Sequence, residues 1–181
     1  EEQAQPAELQ IRTNLNETVF FFPDLKTDEE GNIILNFTMN EALTRWKILG
    51  FAHTKDLATG MLSKEVVTQK ELMVLPNPPR FMREGDEITF TAKVNNLTDT
   101  IMNGSAELLL FDALTMEPVN ELFAHQETSL PFTGEAQQSA ALAWTLKVPE
   151  GKVPALTHRV IAKSGDFSDG EESSLPIVSN R

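Results

Sequence analysis

The 181-residue chain contains no cysteine and no tyrosine. Without cysteine it can form no disulfide, hold no metal through thiolates and use no cysteine nucleophile. No apolar run approaches the roughly 18 residues that a membrane-spanning helix needs. The N-terminus is a polar stretch without the features of a signal peptide, so we expect a piece of a longer protein whose targeting signal has been removed.

The charge balance also excludes some classes of partner. The formal net charge is −12, with 15 basic and 27 acidic residues. Phosphate binding needs a surface rich in lysine and arginine, so we expect no nucleic acid partner. The same acidity argues against docking on anionic lipid. Hydrophobic residues make up 40% of the chain, which is enough for a packed core.

Helix signals are nearly absent, whereas strand signals recur along the whole chain. The clearest strand is at residues 87–94, where Ile88, Phe90, Ala92 and Val94 alternate with polar residues. Such a period of two is typical of a strand with one buried and one solvated face. The pattern predicts an all-β protein.

The C-terminal part, residues 70–181, is predicted to be one complete domain. Its strands are expected at 72–75, 87–94, 106–111, 141–148, 157–162 and 175–178, with an edge strand at 121–124. Asn103-Gly104 reads as a turn, and Trp144 lies on an apolar strand face, which predicts a core position. About seven short strands separated by turns are typical of an antiparallel β-sandwich.

The N-terminal part, residues 1–69, is too short to close two sheets over one core. Its predicted strands are 9–13, 18–22, 32–37, 45–53 and 61–68, and Asp28 to Gly31 reads as a hairpin turn. We therefore expect an incomplete domain with exposed apolar patches and unpaired strand edges, which invite other chains. Residues 14–52 are predicted to support a dimer or strand exchange.

No constellation of catalytic or metal-binding residues is visible. His53, His125 and His158 are far apart and lack the close ligand spacing of a zinc site. No serine lies on a glycine-flanked turn, and no glycine-rich loop joins a strand to a helix. The acidic residues 165–172 could bind calcium, but a hairpin connection is the simpler reading. We expect no enzyme activity, no cofactor, no metal and no catalytic residue.

One segment carries a family resemblance. In residues 14–52, Glu17-Thr18 precedes Phe20-Phe21-Phe22, and after a turn Thr44-Arg45-Trp46-Lys47 leads into Gly50-Phe51-Ala52, with Arg12 just before the segment. This pattern resembles the alpha-2-macroglobulin and complement superfamily. The phenylalanine-rich version is similar to its bacterial branch. The resemblance continues through residues 69–95, where the next macroglobulin-like domain would open.

The resemblance implies a fold and a role. The fold would be that of macroglobulin-like sandwiches (fibronectin III/Ig-like), with residues 1–69 forming the later strands of one domain. The role would be that of a structural framework fragment in an endopeptidase inhibitor, which traps proteases by a conformational change. The thioester of many members requires a cysteine, so this chain holds none.

The implied partners are neighbouring domains and, through the whole protein, target proteases. The implied location is the periplasm or another extracytoplasmic part of the cell envelope. An alternative stays open, namely a β-sandwich spacer or adhesion module of a cell-surface protein. Fold alone does not separate the two, because sandwiches host many functions.

Overall fold

The computed structural model describes residues 9–179 and is all-β, as the sequence predicts. Its strands are β1 (Ile11–Arg12), β2 (Arg45–His53), β3 (Thr59–Val67), β4 (Leu72–Asn77), β5 (Met82–Arg83), β6 (Glu87–Asn96), β7 (Met102–Asp112), β8 (Ser129–Gly134), β9 (Ser139–Lys147), β10 (Ala155–Ser164) and β11 (Phe167–Val178). Within this range the helical structure is one 3-10 turn, Asn120–Phe123. None of the described helical structure could cross a membrane.

The described chain divides into two compact units. One unit is residues 14–68, and the other combines the residues before Asn14 with those from Gln69 onward. The chain therefore leaves the second unit after Thr13 and re-enters it at Gln69. We call residues 14–68 the inserted unit and the remainder the sandwich.

The sandwich consists of two sheets. The larger sheet has the order β1-β11-β10-β7-β8. Its sixth strand, β5, also pairs with β11. The smaller sheet has the order β4-β6-β9. All neighbouring pairs are antiparallel except β1 with β11 and β5 with β11, which are parallel. The antiparallel β-sandwich that the sequence predicts is thus confirmed.

The core lies between these sheets. In the smaller sheet, Phe90 and Val94 of β6 and Leu146 of β9 are fully buried, and Leu108 and Leu110 of β7 oppose them in the same apolar cluster. Trp144 is also buried, as its alternating strand predicts. Because buried and exposed residues alternate along β9, each side chain of that strand has a fixed face.

The strand expected at residues 9–13 exists, but its assignment to the N-terminal part was wrong. Ile11–Arg12 pairs in parallel with β11, with Ile11 opposite Gly170 and Arg12 opposite Glu171. The physical reason is Gly170: a Cβ there would lie 2.5 Å from Ile11 Cδ1, so the missing side chain admits the close approach. The alternation of apolar and polar residues in 9–13 predicts a strand, but it does not indicate that the strand pairs with β11.

Two predicted features around β7 were also wrong. Asn103-Gly104 lies inside β7, where the glycine leaves room for the Lys163 carbonyl and the Phe132 ring. Residues 121–124 form no edge strand but continue the 3-10 turn, because Asn120 Oδ1 accepts a hydrogen bond from the Leu110 N–H (2.8 Å) and ends the pairing.

The two-residue strand β5 was missed, and so was the longer strand β8. It contains Pro131 and lies at the end of the larger sheet, where a strand needs no donor on its outer side. A proline inside a short segment weakens its strand signal, because proline has no backbone donor.

The acidic residues 165–172 contain much less loop than expected. The turn covers Gly165 and Asp166, and β11 begins at Phe167. The strand then carries Asp169 into the interior, where its side chain is 0% exposed. The acidic run was read as a hairpin connection, yet Asp169 within it is fully buried.

The inserted unit contains a single hairpin, in which β2 pairs antiparallel with β3 from Arg45↔Val67 to His53↔Thr59. Residues 18–22 and 32–37 were predicted as strands, which was wrong, because neither segment pairs with another strand. The turn at Asp28 to Gly31 is present, with Gly31 at a φ of 85°. Whether these residues are the later strands of a larger macroglobulin-like domain stays a prediction.

Candidate functional site

The inserted unit exposes most of its apolar side chains. No residue between Asn14 and Thr68 is buried, and fifteen of the twenty-two exposed large hydrophobic residues in the described chain lie there. Ordinary surfaces carry single apolar residues, whereas a concentration of this kind is typical of interaction surfaces. Within residues 14–68, the apolar side chains are therefore left largely open to solvent.

The hairpin has one face that is open to solvent. Leu49 and Phe51 of β2 and Met61 of β3 point to the same side, because side chains alternate along each strand and Phe51 pairs with Met61. Their exposed fractions are 66%, 66% and 83%. We call these three residues the hairpin face. The opposite side carries Trp46 and Ile48, which are half-buried.

Both hairpin strands also have a free backbone edge. Each is nine residues long and pairs with one neighbour, so the sheet ends on both sides within the described residues. Unpaired N–H and C=O groups of this kind are a template for another strand. The hairpin therefore presents unpaired backbone groups in addition to its exposed apolar side chains.

Thr68 holds together the open end of the hairpin, where β2 begins and β3 ends. Its hydroxyl oxygen accepts hydrogen bonds from the Trp46 indole Nε1 (2.9 Å) and the Thr44 N–H (3.2 Å), and its proton goes to the Ala42 carbonyl (2.8 Å). Elsewhere in the unit, Phe20 packs against Phe22 and Phe37 at ring-centroid distances of 5.1 and 4.5 Å. The motif residues Trp46, Phe20 and Phe22 thus make packing and hydrogen-bond contacts.

The sandwich contains a second notable site, an ion cluster centred on Asp169. Arg12 Nε donates to Asp169 Oδ1 (3.0 Å) and Arg12 Nη2 donates to Oδ2 (2.9 Å), a paired geometry specific to guanidinium. Lys70 Nζ donates to Oδ1 (3.1 Å). The Val74 N–H donates to Oδ2 (2.9 Å), which brings the carboxylate to four hydrogen bonds.

Arg12 also reaches beyond Asp169. Its Nη2 donates to the Val74 carbonyl (2.9 Å), and its Nη1 forms an ion pair with Glu171 Oε2 (3.0 Å). Asp169 and Arg12 together therefore bond both polar groups of the Val74 backbone. Because β4 is an end strand of the smaller sheet, these two side chains provide hydrogen bonds that a neighbouring strand would otherwise provide.

The protonation states in this cluster follow from burial and pairing. Burial by itself lowers the pKa of Arg12, but its hydrogen bonds and its attraction to Asp169 and Glu171 raise that pKa above the ordinary value. Burial raises the pKa of Glu171, and the nearby Arg12 acts in the opposite direction. The guanidinium is therefore charged at every pH at which the protein would be studied.

The three histidines lie on different elements. His53 is exposed at the end of β2, beside the turn that leads into β3. His125 is buried after the 3-10 turn, with Nε2 2.9 Å from the Leu108 carbonyl. His158 is buried in β10, and neither of its ring nitrogens has a hydrogen-bond partner. Among residues 9–179, no three histidine or acidic side chains gather as metal ligands would.

The comparisons with known proteins agree with the motif in the inserted unit. A sequence profile of the alpha-2-macroglobulin family matches residues 18–108, half of the chain. The chain belongs to the alpha-2-macroglobulin family. The matched range runs from the inserted unit through β4 and β6 into β7. Family membership therefore covers both units, although the sandwich beyond Leu108 lies outside the match.

Two curated relatives share this assignment. The alpha-2-macroglobulin of Thermotoga maritima is 24% identical over 174 residues, which are 96% of this chain and 11% of that protein. The alpha-2-macroglobulin homolog of Nostoc sp. is 27% identical over 97 residues, 54% of this chain and 5% of that protein. The chain thus spans about a tenth of the first relative's length and less of the second's.

Solved structures add little to the family assignment. A superoxide reductase (neelaredoxin) from Ignicoccus hospitalis superposes with a TM-score of 0.44 at 12% identity, over 60% of this chain and 82% of that one. A likeness at this level carries no argument about function.

Proposed function

We propose that this chain is a structural framework fragment of a bacterial alpha-2-macroglobulin-like endopeptidase inhibitor, which traps proteases by a conformational change. Its part is non-enzymatic. The sandwich is the rigid element, and the inserted unit is the surface through which neighbouring domains dock. The hairpin face is the observation that carries this proposal, because Leu49, Phe51 and Met61 share one side of the hairpin and are all largely exposed.

The contribution is non-covalent. The chain has no cysteine, so it supplies no thioester for covalent capture of a target. What it offers is an apolar surface and two free strand edges. Contacts between domains of one protein use such surfaces, with polar rims around apolar patches. Target proteases would be engaged through the whole protein.

The proposed location is the periplasm or another extracytoplasmic part of the envelope. The phenylalanine-rich motif supports the bacterial branch, and an inhibitor of foreign endopeptidases acts where they arrive. An epitope-tagged protein in a bacterial host tests this: protease should digest the tag only after the outer membrane is permeabilised. A tag that stays protected until the cells are lysed would contradict the proposal.

Trapping is tested on a full-length protein that contains this chain. A protease enclosed in a trap should lose activity on protein substrates and keep it on a small chromogenic peptide, because only the peptide diffuses in. Phe51→Asp with Met61→Asp should remove that difference by placing charge on the hairpin face. Leu114→Asp is the matched control, since Leu114 is 77% exposed in the sandwich.

Two results would contradict the proposal. One is undiminished trapping by a folded Phe51→Asp/Met61→Asp protein. The other is a protein that never protects large substrates but forms extended arrays, which would favour the spacer or adhesion module.

We also propose that the chain by itself associates through residues 14–52, by dimer contacts or strand exchange. The exposed hairpin face and free edges support this association. Light scattering during gel filtration should show a mass that rises with concentration, and Phe51→Asp should return it to that of a monomer. A strictly monomeric wild-type chain over the same concentration range would refute the association.

A further inference from the structure

The ion cluster around Asp169 has the properties of a filled peptide-binding slot. Residues 10–13 form a strap whose paired part, β1, is two residues long. The slot beside it consists of Asp169, Gly170 and Glu171 of β11 together with the Val74 backbone and Lys70. We propose that this is an arginine-specific slot, which can release the strap and accept the same extended segment from a separate molecule.

The slot accepts a strand by backbone pairing. Arg12 lies opposite Glu171 in a parallel register at the edge of the larger sheet, while the other side of β11 stays paired with β10 over ten residue pairs. Removing the strap therefore opens one edge and leaves the sheet intact. Addition of an extended peptide to a sheet edge is an established mode of recognition, in which pockets for alternate side chains give specificity.

The specificity comes from the guanidinium. One arginine simultaneously reaches both oxygens of Asp169, the Val74 carbonyl and Glu171. A lysine ammonium is a point charge and cannot span these four acceptors from one position. Gly170 adds a shape requirement, because only a residue without Cβ leaves room for the isoleucine that precedes the arginine.

The empty slot would be electrostatically unsatisfied. Without the strap, the carboxylates of Asp169 and Glu171 face one ammonium, that of Lys70, so one negative charge remains. In the filled slot Asp169 is 0% exposed and Arg12 is 3% exposed, so water screens this ion pair poorly. A buried unpaired charge is costly, which favours capture of a new guanidinium.

Peptide binding to the full chain tests the slot. The probe is a fluorescein-labelled peptide with the sequence of residues 9–16, Leu-Gln-Ile-Arg-Thr-Asn-Leu-Asn. Arg12→Ala vacates the guanidinium position, so fluorescence anisotropy should show binding to this variant and little binding to the wild type. Replacing the peptide's arginine by alanine or lysine should weaken binding at least about tenfold, since several charge-assisted hydrogen bonds are lost.

Matched variants distinguish binding in the slot from the effect of removing any arginine of the sheet. Arg159→Ala removes the neighbouring ion pair with Glu172 (2.6 Å) but leaves Arg12 in place, so it should bind the peptide as weakly as the wild type. Adding Asp169→Asn to Arg12→Ala should abolish the preference for arginine. A folded Arg12→Ala chain that binds no peptide, or binds the alanine peptide equally, overturns the proposal.

Loss of folding in Arg12→Ala is also informative. If that variant shows no cooperative thermal transition, an excess of the arginine peptide should restore one, because ligands that bind only the native state stabilise it. The alanine peptide should not restore it. Failure of the arginine peptide to do so counts against the slot.

Discussion

The rings of Phe90 and His158 lie 5.1 Å apart in the core of the sandwich, and both ring nitrogens of His158 lack a hydrogen-bond partner. Burial lowers the pKa of His158 to about 4. The imidazole is therefore neutral in the native state at any pH well above that value, and it packs as an apolar ring.

This arrangement predicts a loss of stability in mild acid. In the unfolded chain histidine titrates near pH 6.5, so the unfolded state takes up the proton first as the pH falls. Stability is complete above about pH 6.5 and decreases down to about pH 4, by roughly 3 kcal/mol in total. His158→Leu should lose less stability between pH 7.5 and 4.5, as measured by urea denaturation.

The comparison between variants isolates His158. The raised pKa of Glu171 acts with the opposite sign, favouring the native state at low pH, but it is present in both proteins and cancels in the difference. His53→Gln, at an exposed position, should keep the wild-type dependence. Equal pH dependence of His158→Leu and wild type would contradict the prediction.

Thr68→Val should loosen the open end of the hairpin, where Thr68 bonds Thr44 and Trp46. It removes the acceptor of the Trp46 indole and Thr44 N–H groups, at a cost of about 1 kcal/mol for each bond lost. Hydrogen exchange at the Thr44 amide should accelerate by roughly tenfold. Thr59→Val, at the opposite end of the same pairing, is the control. An unchanged exchange rate at Thr44 in Thr68→Val would argue against this role.

Gly104→Ala should destabilise the sandwich. The added Cβ would lie 2.1 Å from the Lys163 carbonyl oxygen and 2.8 Å from Phe132 Cζ, so β7 or its neighbours must shift. Overpacking of this kind costs about 1–3 kcal/mol. Urea denaturation measures it, with Gly60→Ala as control, since a Cβ there meets nothing within 4 Å. If both variants have the wild-type stability, the close approach of β7 to β10 at Gly104 would be contradicted.

Much of the fold could be predicted from alternation alone. Residues 87–94 and 141–148 have strict periods of two, and both form strands of the smaller sheet with the expected buried faces. Residues 18–22 and 32–37 have strand-like composition yet form no strand. Composition gives the strand propensity of a segment, whereas a strand forms only when another strand pairs with its edge.

The ion cluster could not be predicted from the sequence. Arg12 and Asp169 are 157 positions apart, and no local pattern connects them. Arg12 belonged to the family motif without a physical role, and Asp169 was hidden in an acidic run. The available signal was Gly170 beside an acidic residue in a strand, which indicates a close backbone approach but does not name the approaching chain.

Lys70 and Arg12 flank the inserted unit, and both bond Asp169 Oδ1. A single carboxylate therefore fastens the two places where the polypeptide crosses between units. What lies between these crossings is a closed loop, and the entropy of closing a flexible loop grows only with the logarithm of its length, at about 0.6 kcal/mol for each doubling. Segments of quite different size could therefore replace residues 14–68 during evolution. The bonds of Arg12 and Lys70 to Asp169, and the sandwich that contains them, would stay unchanged.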